Sequence, residues 1–198
     1  MRIGVDSGGT FTDIVIIDGD GVRLKKVPST PDDPARAILQ VLADLPAQEV
    51  VHGTTVATNA LLERKHARAG FVTHAGFEDL LRLGRQNRSR LHDLEPVATE
   101  PLIADEDCRG LSIRRGPGGE VLQEVDLNEL SQLRRWILEN ELQALAVGFL
   151  HSTVDGTDEL LIRQLLEDLD LPVVLSHEVA AEPREWERFS TATDRKST

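Results

Sequence analysis

Hydrophobic and polar positions alternate with a period of two in three opening segments, Arg2 to Asp6, Phe11 to Asp18 and Val22 to Pro28. Glycine-rich turns separate them, Ser7-Gly8-Gly9-Thr10 and then Asp18-Gly19-Asp20-Gly21, so the pattern predicts a meander of two hairpins. After Thr30-Pro31-Asp32-Asp33 the period lengthens. Pro34 suits a first helical position, and Ile38, Leu39, Val41, Leu42 and Leu45 are expected to share one helical face. Short apolar runs then alternate with helical ones: Glu49 to Val51, a helix over Val56 to Arg64, Gly70 to Thr73, and Phe77 to Leu83. Asp126 with Glu129 three residues on predicts a capping-box start to a helix bearing Leu127, Leu130, Leu133 and Ile137. A strand over Ala144 to Leu150, a helix over Asp158 to Leu169 and a strand over Pro172 to Leu175 continue the β-α-β order. The whole predicts an α/β layered fold, a mixed sheet with an opening β-meander and flanking helices.

Two stretches depart from this rhythm. Arg85 to Ile103 has no clear period and carries Pro96 and Pro101, while Leu111 to Arg115 and Val121 to Val125 flank Gly116-Pro117-Gly118-Gly119 as a hairpin. Residues 85–125 therefore read as an insertion or subdomain edge within a domain over residues 1–190. Thr191 to Thr198 is polar and reads as a frayed tail or a truncation point.

Composition narrows the classes of function. The 198 residues are 40% hydrophobic, enough for a sizeable core, and 22 Lys and Arg against 34 Asp and Glu leave a net charge of −12. Such a surface disfavours nucleic acid and anionic membranes. One cysteine, Cys108, rules out an internal disulfide framework and a cysteine-built zinc site. The sequence opens directly into a strand pattern without a basic leader, and no apolar run approaches membrane-spanning length, so the expectation is a cytoplasmic protein.

Chemistry concentrates in Gly4 to Asp13, where Asp6, at a strand end, enters a tight glycine turn rimmed by hydroxyls. Backbone N–H groups around Gly8 and Gly9 can form a nest for phosphate oxygens, Ser7 lies beside them, and Thr10 and Thr12 can add side-chain donors. Asp6 would then serve a Mg²⁺ ion through water, since magnesium keeps several waters and takes few carboxylates. A plain hairpin turn is the other reading. The lysine of a Gly-x-x-x-x-Gly-Lys-Ser/Thr loop is absent. A second segment, His52-Gly53-Thr54-Thr55 running to Asn59 and Arg64, leaves a strand for a helix whose first turn presents free N–H donors. It suits a carboxylate, phosphate or polarised carbonyl; ordinary capping by Thr54 or Thr55 with a core His52 is the alternative. Arg85, Arg88 and Arg90 form a local basic cluster fit for a carboxylate or phosphate, or else a solvated loop. The remaining histidines show no metal-ligand spacing, and Trp136 reads as packing.

Asp6-Ser7-Gly8-Gly9-Thr10 resembles the first phosphate motif of the actin, sugar-kinase and heat-shock-chaperone ATPase superfamily, a ribonuclease-H-like fold. With Lys26 to Pro31, His52 to Arg64, Gly84 to Arg88 and Ser176 to Val179 in the same order, the chain resembles the N-terminal region of hydantoinase A / 5-oxoprolinase proteins, a family that includes an acetone carboxylase subunit. The resemblance implies ATP-dependent opening of a cyclic amide or imide, the γ-phosphoryl group activating a ring carbonyl before water attacks. It implies ATP and Mg²⁺ at Asp6, Ser7, Gly8, Gly9, Thr10 and Thr12, with Asp6, Asp13, His52, Thr54 and Thr55 as catalytic candidates. His52, Gly53, Thr54, Thr55, Asn59, Arg85 and Arg88 would face the substrate. The family's second half would supply a second phosphate loop and the adenosine pocket, so these residues alone should bind ATP weakly and turn over little. A hydantoinase B-like subunit is the implied partner. A sugar-kinase-like phosphotransferase and a non-catalytic interaction module that kept the fold are the alternatives.

Overall fold

The computed structural model describes residues 1–19, 21–30, 33–43, 45–55, 58–59, 64, 67–87, 92, 94 and 100–197. They form two compact units, Met1–Lys65 and His66–Thr198, a boundary that the hydrophobic pattern does not mark.

In the first unit, β1 (Arg2–Ser7), β2 (Phe11–Asp18), β3 (Gly21–Pro28) and β4 (Glu49–Thr54) make one sheet in the order β3-β2-β1-β4. The first three strands run antiparallel as the expected meander, and β4 joins parallel to β1, so the sheet is mixed. Period-two alternation places Ile3, Val5, Ile14 and Ile16 on one face, where they are buried with Val41 of α1 (Pro34–Leu42). Asp33 caps α1 by accepting from the Ala35 N–H at 3.1 Å, ahead of Pro34. Ile38, Leu42 and Leu45 pack against this core, but Leu39 is 64% exposed. One position beyond Ile38, it sits about 100° round the helix and leaves the stripe. Of the helix expected over Val56 to Arg64, Thr58 and Asn59 are helical and Arg64 lies in a turn; the rest falls outside the described residues.

The second unit is built on a parallel sheet, order β10-β9-β5-β6, from β5 (Ala69–His74), β6 (Cys108–Leu111), β9 (Ala144–Val147) and β10 (Val173–Leu175). β5 and β9 are buried along their whole length, as a parallel sheet covered on both faces requires. One face packs Val72, Leu145 and Val147 against Leu130, Leu133 and Ile137 of α3 (Leu127–Glu139) and Ile162 of α4 (Thr157–Leu165). The other packs Phe71, Ala144 and Ala146 against Phe189 and Ala192 of α6 (Glu185–Ser197). Short helices α2 (Leu80–Leu83) and α5 (Ser176–Val179) complete the unit. Trp136 packs against the α3 core as expected.

Four local expectations change. The segment Leu111 to Arg115 is not one strand: β6 ends at Leu111, and β7 (Arg114–Arg115) pairs with β8 (Val121–Gln123) as a separate antiparallel ribbon. Asp126 caps α3 by accepting from the Asn128 N–H, but Glu129 does not close a capping box. Its carboxylate instead takes the Ser112 N–H at 2.9 Å and hydroxyl at 2.7 Å, a tertiary partner outcompeting the local one. Leu127, at the helix start, is 77% exposed. Residues 191–197, polar enough to read as a tail, are the last turns of α6, because Phe189 and Ala192, three apart, give the helix a buried stripe.

Candidate functional site

Strand alternation puts Ser7 on the buried face of β1 and Asp6 on the open one. Pairing then sets their neighbours: Asp6 lies opposite Asp13 on β2 and beside Gly53 on β4, and Val5 beside His52. The Ser7 hydroxyl meets His52 Nε2 at 3.1 Å, the one engaged ring nitrogen of His52 among the described residues. The Ser7 carbonyl accepts from the Thr55 N–H at 3.1 Å, and Thr55 in turn accepts from the Asn59 N–H at 2.8 Å, which starts the helical turn there. The second segment is thereby tied to the end of β1.

Within the turn, the Gly8 N–H donates to the Phe11 carbonyl at 3.0 Å, so Gly8 closes the bend and its N–H is not part of an open nest. Ser29, just past β3, donates its hydroxyl to the Gly8 carbonyl at 2.7 Å and its N–H to the Thr10 carbonyl at 2.9 Å. Thr12 is buried, and its hydroxyl lies 3.0 Å from that of Ser29. Among the described residues nothing accepts from the N–H of Gly9 or Thr10. Asn59 crosses above Gly9 so closely that a Cβ there would come within 2.9 Å of its Nδ2, so a larger residue at that position would have to push the Asn59 side chain aside.

The open face carries charge. Asp6 and Asp13, directly opposite in antiparallel register, repel one another. Lys26 Nζ reaches Asp13 at 3.1 Å and lies 5.3 Å from the centre of the Phe11 ring, a mostly exposed arrangement that offsets little of this repulsion. A hollow of about 440 Å³ on β2 and β3 is walled by Asp13, Val15, Leu24 and Lys26 among others. Asp6, Ser7, Gly8, Gly9, Thr10, Thr12, Asp13, His52, Gly53, Thr54, Thr55 and Asn59 thus all belong to one unit, around one turn or the strands beside it. Thr54 is exposed at the end of β4. Arg85 belongs to the second unit, where its Nε and Nη2 donate to Glu187 Oε1 at 2.9 and 2.5 Å and its guanidinium lies 5.1 Å from the Trp186 ring. Arg88 and Arg90 lie outside the described residues.

The second unit holds a polar centre that the sequence pattern does not announce. Glu159, fully buried in the first turn of α4, accepts from the Phe149 N–H at 3.0 Å, the Ser176 hydroxyl at 2.6 Å, and His177 through Nδ1 at 2.6 Å and N–H at 3.2 Å. Buried Arg188 donates to Ser176 Oγ and to the carbonyls of Glu182 and Phe149. Burial opposes the charge on Glu159, but hydrogen bonds from His177, Ser176 and Phe149 outweigh it and hold the carboxyl below its ordinary range. The bond to Glu159 raises His177. His74 goes the other way: burial, and Arg114 nearby, lower it to about 4, and its Nε2 accepts from the Leu150 N–H at 2.9 Å. Burial pushes the Cys108 thiol up to about 12, with Asp105 and Asp107 adding to the shift, which makes it a poor nucleophile. Among the described residues no group of three His, Cys, Asp or Glu could hold a metal on protein ligands alone, and no helix is long and apolar enough to cross a membrane.

With this geometry in place, the likeness to known proteins is specific. Residues 2–169 match the model of the hydantoinase/oxoprolinase N-terminal region, and the chain belongs to that family. It is 33% identical over 210 residues to the caprolactamase subunit alpha of Pseudomonas jessenii, covering 96% of this chain and 30% of the relative. The crystal structure of the ATP-dependent caprolactamase from that organism superposes with a TM-score of 0.85 at 28% identity, over 100% of this chain and 31% of the other. A nucleotide-free acetone carboxylase, 24% identical, has the same fold, with a TM-score of 0.87 over 99% of this chain and 32% of its own. The chain thus spans about a third of the length of these relatives.

Proposed function

We propose that the β1–β2 turn binds the phosphates of Mg-ATP and that the chain is the N-terminal, phosphate-binding part of an enzyme that opens a cyclic amide or imide. The carrying observation is that, among the described residues, the N–H groups of Gly9 and Thr10 are unengaged, beside an exposed Asp6 that already faces Asp13. Unengaged donors at a tight bend suit phosphate oxygens, and two facing carboxylates suit a cation between water and phosphate. Both groups fit the residues present. Bound there, Mg-ATP supplies the phosphoryl group that makes a carbonyl oxygen a leaving group.

The chain's own residues supply orientation and charge. Gly9 and Thr10 donate to phosphate oxygens, with the Thr10 hydroxyl as a third donor, while Asp6 holds magnesium through water. Thr12 is buried, with its hydroxyl against that of Ser29. Ser7 holds His52 by Nε2, which presents the rest of that ring to a substrate carbonyl for proton movement. Gly53, Thr54, Thr55 and Asn59 line the same approach, and Asp13 orients water or a donor. A substrate carboxylate at Arg85 would have to displace Glu187. The relative's designation as a subunit alpha supports a second, hydantoinase B-like subunit as partner, and the remaining two thirds of the family's length as the other wall of the nucleotide site.

Calorimetric titration with Mg-ATP, with and without a polypeptide carrying the other two thirds of the relatives' length, tests this reading. Binding should be weak alone, tighten with the added polypeptide and fall on chelation of magnesium. In the assembled enzyme a cyclic amide should trigger phosphate release, and Asp6→Ala or Thr10→Ala should abolish it; unchanged turnover in both variants refutes the assignment. A stable phosphorylated sugar would point to a kinase instead.

A further inference from the structure

Ser29 touches the turn at two points and has no role in the reading above. Its hydroxyl donates to the Gly8 carbonyl at 2.7 Å and its N–H to the Thr10 carbonyl at 2.9 Å. Since that hydroxyl proton points to Gly8, the 3.0 Å contact with Thr12 must run from the Thr12 hydroxyl into Ser29 Oγ. The result is a directed relay, Thr12 to Ser29 to Gly8. In a trans peptide the carbonyl and the following N–H point in opposite directions, and the described peptides are all trans. Drawing the Gly8 carbonyl toward Ser29 therefore turns the Gly9 N–H away from it.

Two consecutive glycines would otherwise let that peptide rotate freely. A rotated peptide would present the Gly8 carbonyl oxygen where the Gly9 donor stood, and an oxygen repels phosphate. We infer that Ser29, set by Thr12, is a positioning residue that locks the Gly8–Gly9 peptide with its donor facing the ligand, and so makes the turn selective for polyphosphate anions. The inference rests on the phosphate-site reading and deepens it. It also gives Thr12, a buried hydroxyl, a part in the site without its reaching a ligand.

The test uses the ¹⁵N-labelled 198-residue chain, titrated with magnesium tripolyphosphate and with Mg-ATP while the Gly9 and Thr10 amide signals are followed. In the wild type both signals should be sharp and should shift on titration. Ser29→Ala should broaden the Gly9 signal by exchange and weaken binding about tenfold, the loss expected for one hydrogen bond to a charged group. Ser29→Thr, which keeps the hydroxyl, should restore both, and Thr12→Val should lie between. A merely structural serine would lower the melting temperature without touching the Gly9 exchange or the affinity. A Gly9 amide equally sharp in Ser29→Ala and Thr12→Val, or unchanged affinity in both, overturns the lock. A wild type whose turn signals respond to neither polyphosphate overturns the phosphate-site reading and the lock with it, and that failure is recognisable because it appears before any substitution.

Discussion

The β1–β2 turn of the first unit and the Glu159 centre of the second are both polar and both hold a histidine against a partner, yet they differ in what remains unengaged. Around Glu159 the carboxylate accepts four hydrogen bonds, and the Arg188 fork is committed to Ser176, Glu182 and Phe149. At the turn two backbone donors and a carboxylate have no protein partner among the described residues. Perturbed titration marks the first kind of cluster as readily as the second. Here the resolved shifts belong to the buried frame, and the leftover hydrogen-bonding capacity lies at the proposed site.

The sharpest way to break this contrast is Glu159→Ala. Removing the carboxylate strands Arg188, His177 and the Phe149 N–H, so urea unfolding of the second unit should lose about 3–5 kcal/mol. A loss below about 1 kcal/mol would mean that the centre is not a structural clasp.

The pH profile comes next. The His74 pKa in the fold, about 4, lies below its ordinary 6.5, so the unfolded chain binds the extra proton between these values and stability falls by about 3 kcal/mol as pH drops through that window. The raised His177 contributes stability that is present below 6.5 and lost as pH rises through its folded value, while the lowered Glu159 adds a loss below 4.5. Stability of the second unit should peak near pH 6.5. His74→Gln, which keeps an acceptor for the Leu150 N–H, should flatten the acid limb in denaturation series.

Asp6→Asn should do the opposite of Glu159→Ala. Relieving repulsion from Asp13, it should leave stability unchanged within about 0.5 kcal/mol, or raise it, while Mg-ATP affinity falls at least about tenfold in calorimetry. Arg85→Ala should be smaller still, under about 1 kcal/mol by thermal melting, because its bond to Glu187 is half exposed. A larger loss there would put Arg85 among the structural residues.

The turn was legible in sequence because its chemistry is local: a strand end, two glycines and flanking hydroxyls lie within ten residues. Asn59 and His52 could be named from the helix start and the strand end, although only parallel pairing of β4 with β1 brings them to the turn. Ser29 stood in a string that matched the family, without a role, since the hydrogen bond it makes spans 21 residues. Glu129 shows the opposite case. Its spacing from Asp126 is right for a capping box, and a tertiary donor, Ser112, takes the carboxylate instead.

By itself the order of apolar and polar residues determined the meander, the α/β succession and the glycine turn, which depend on spacing along the chain, while the family was reached through the resemblance of particular motifs. Only the tertiary structure decided that there are two units, that residues 191–197 complete a core helix, and that among the described residues the N–H groups left open are those of Gly9 and Thr10 while that of Gly8 is closed. The reason is physical. Spacing dictates which groups could bond, but which of them find a partner depends on side chains brought from distant strands, and a binding site consists of the groups that find none.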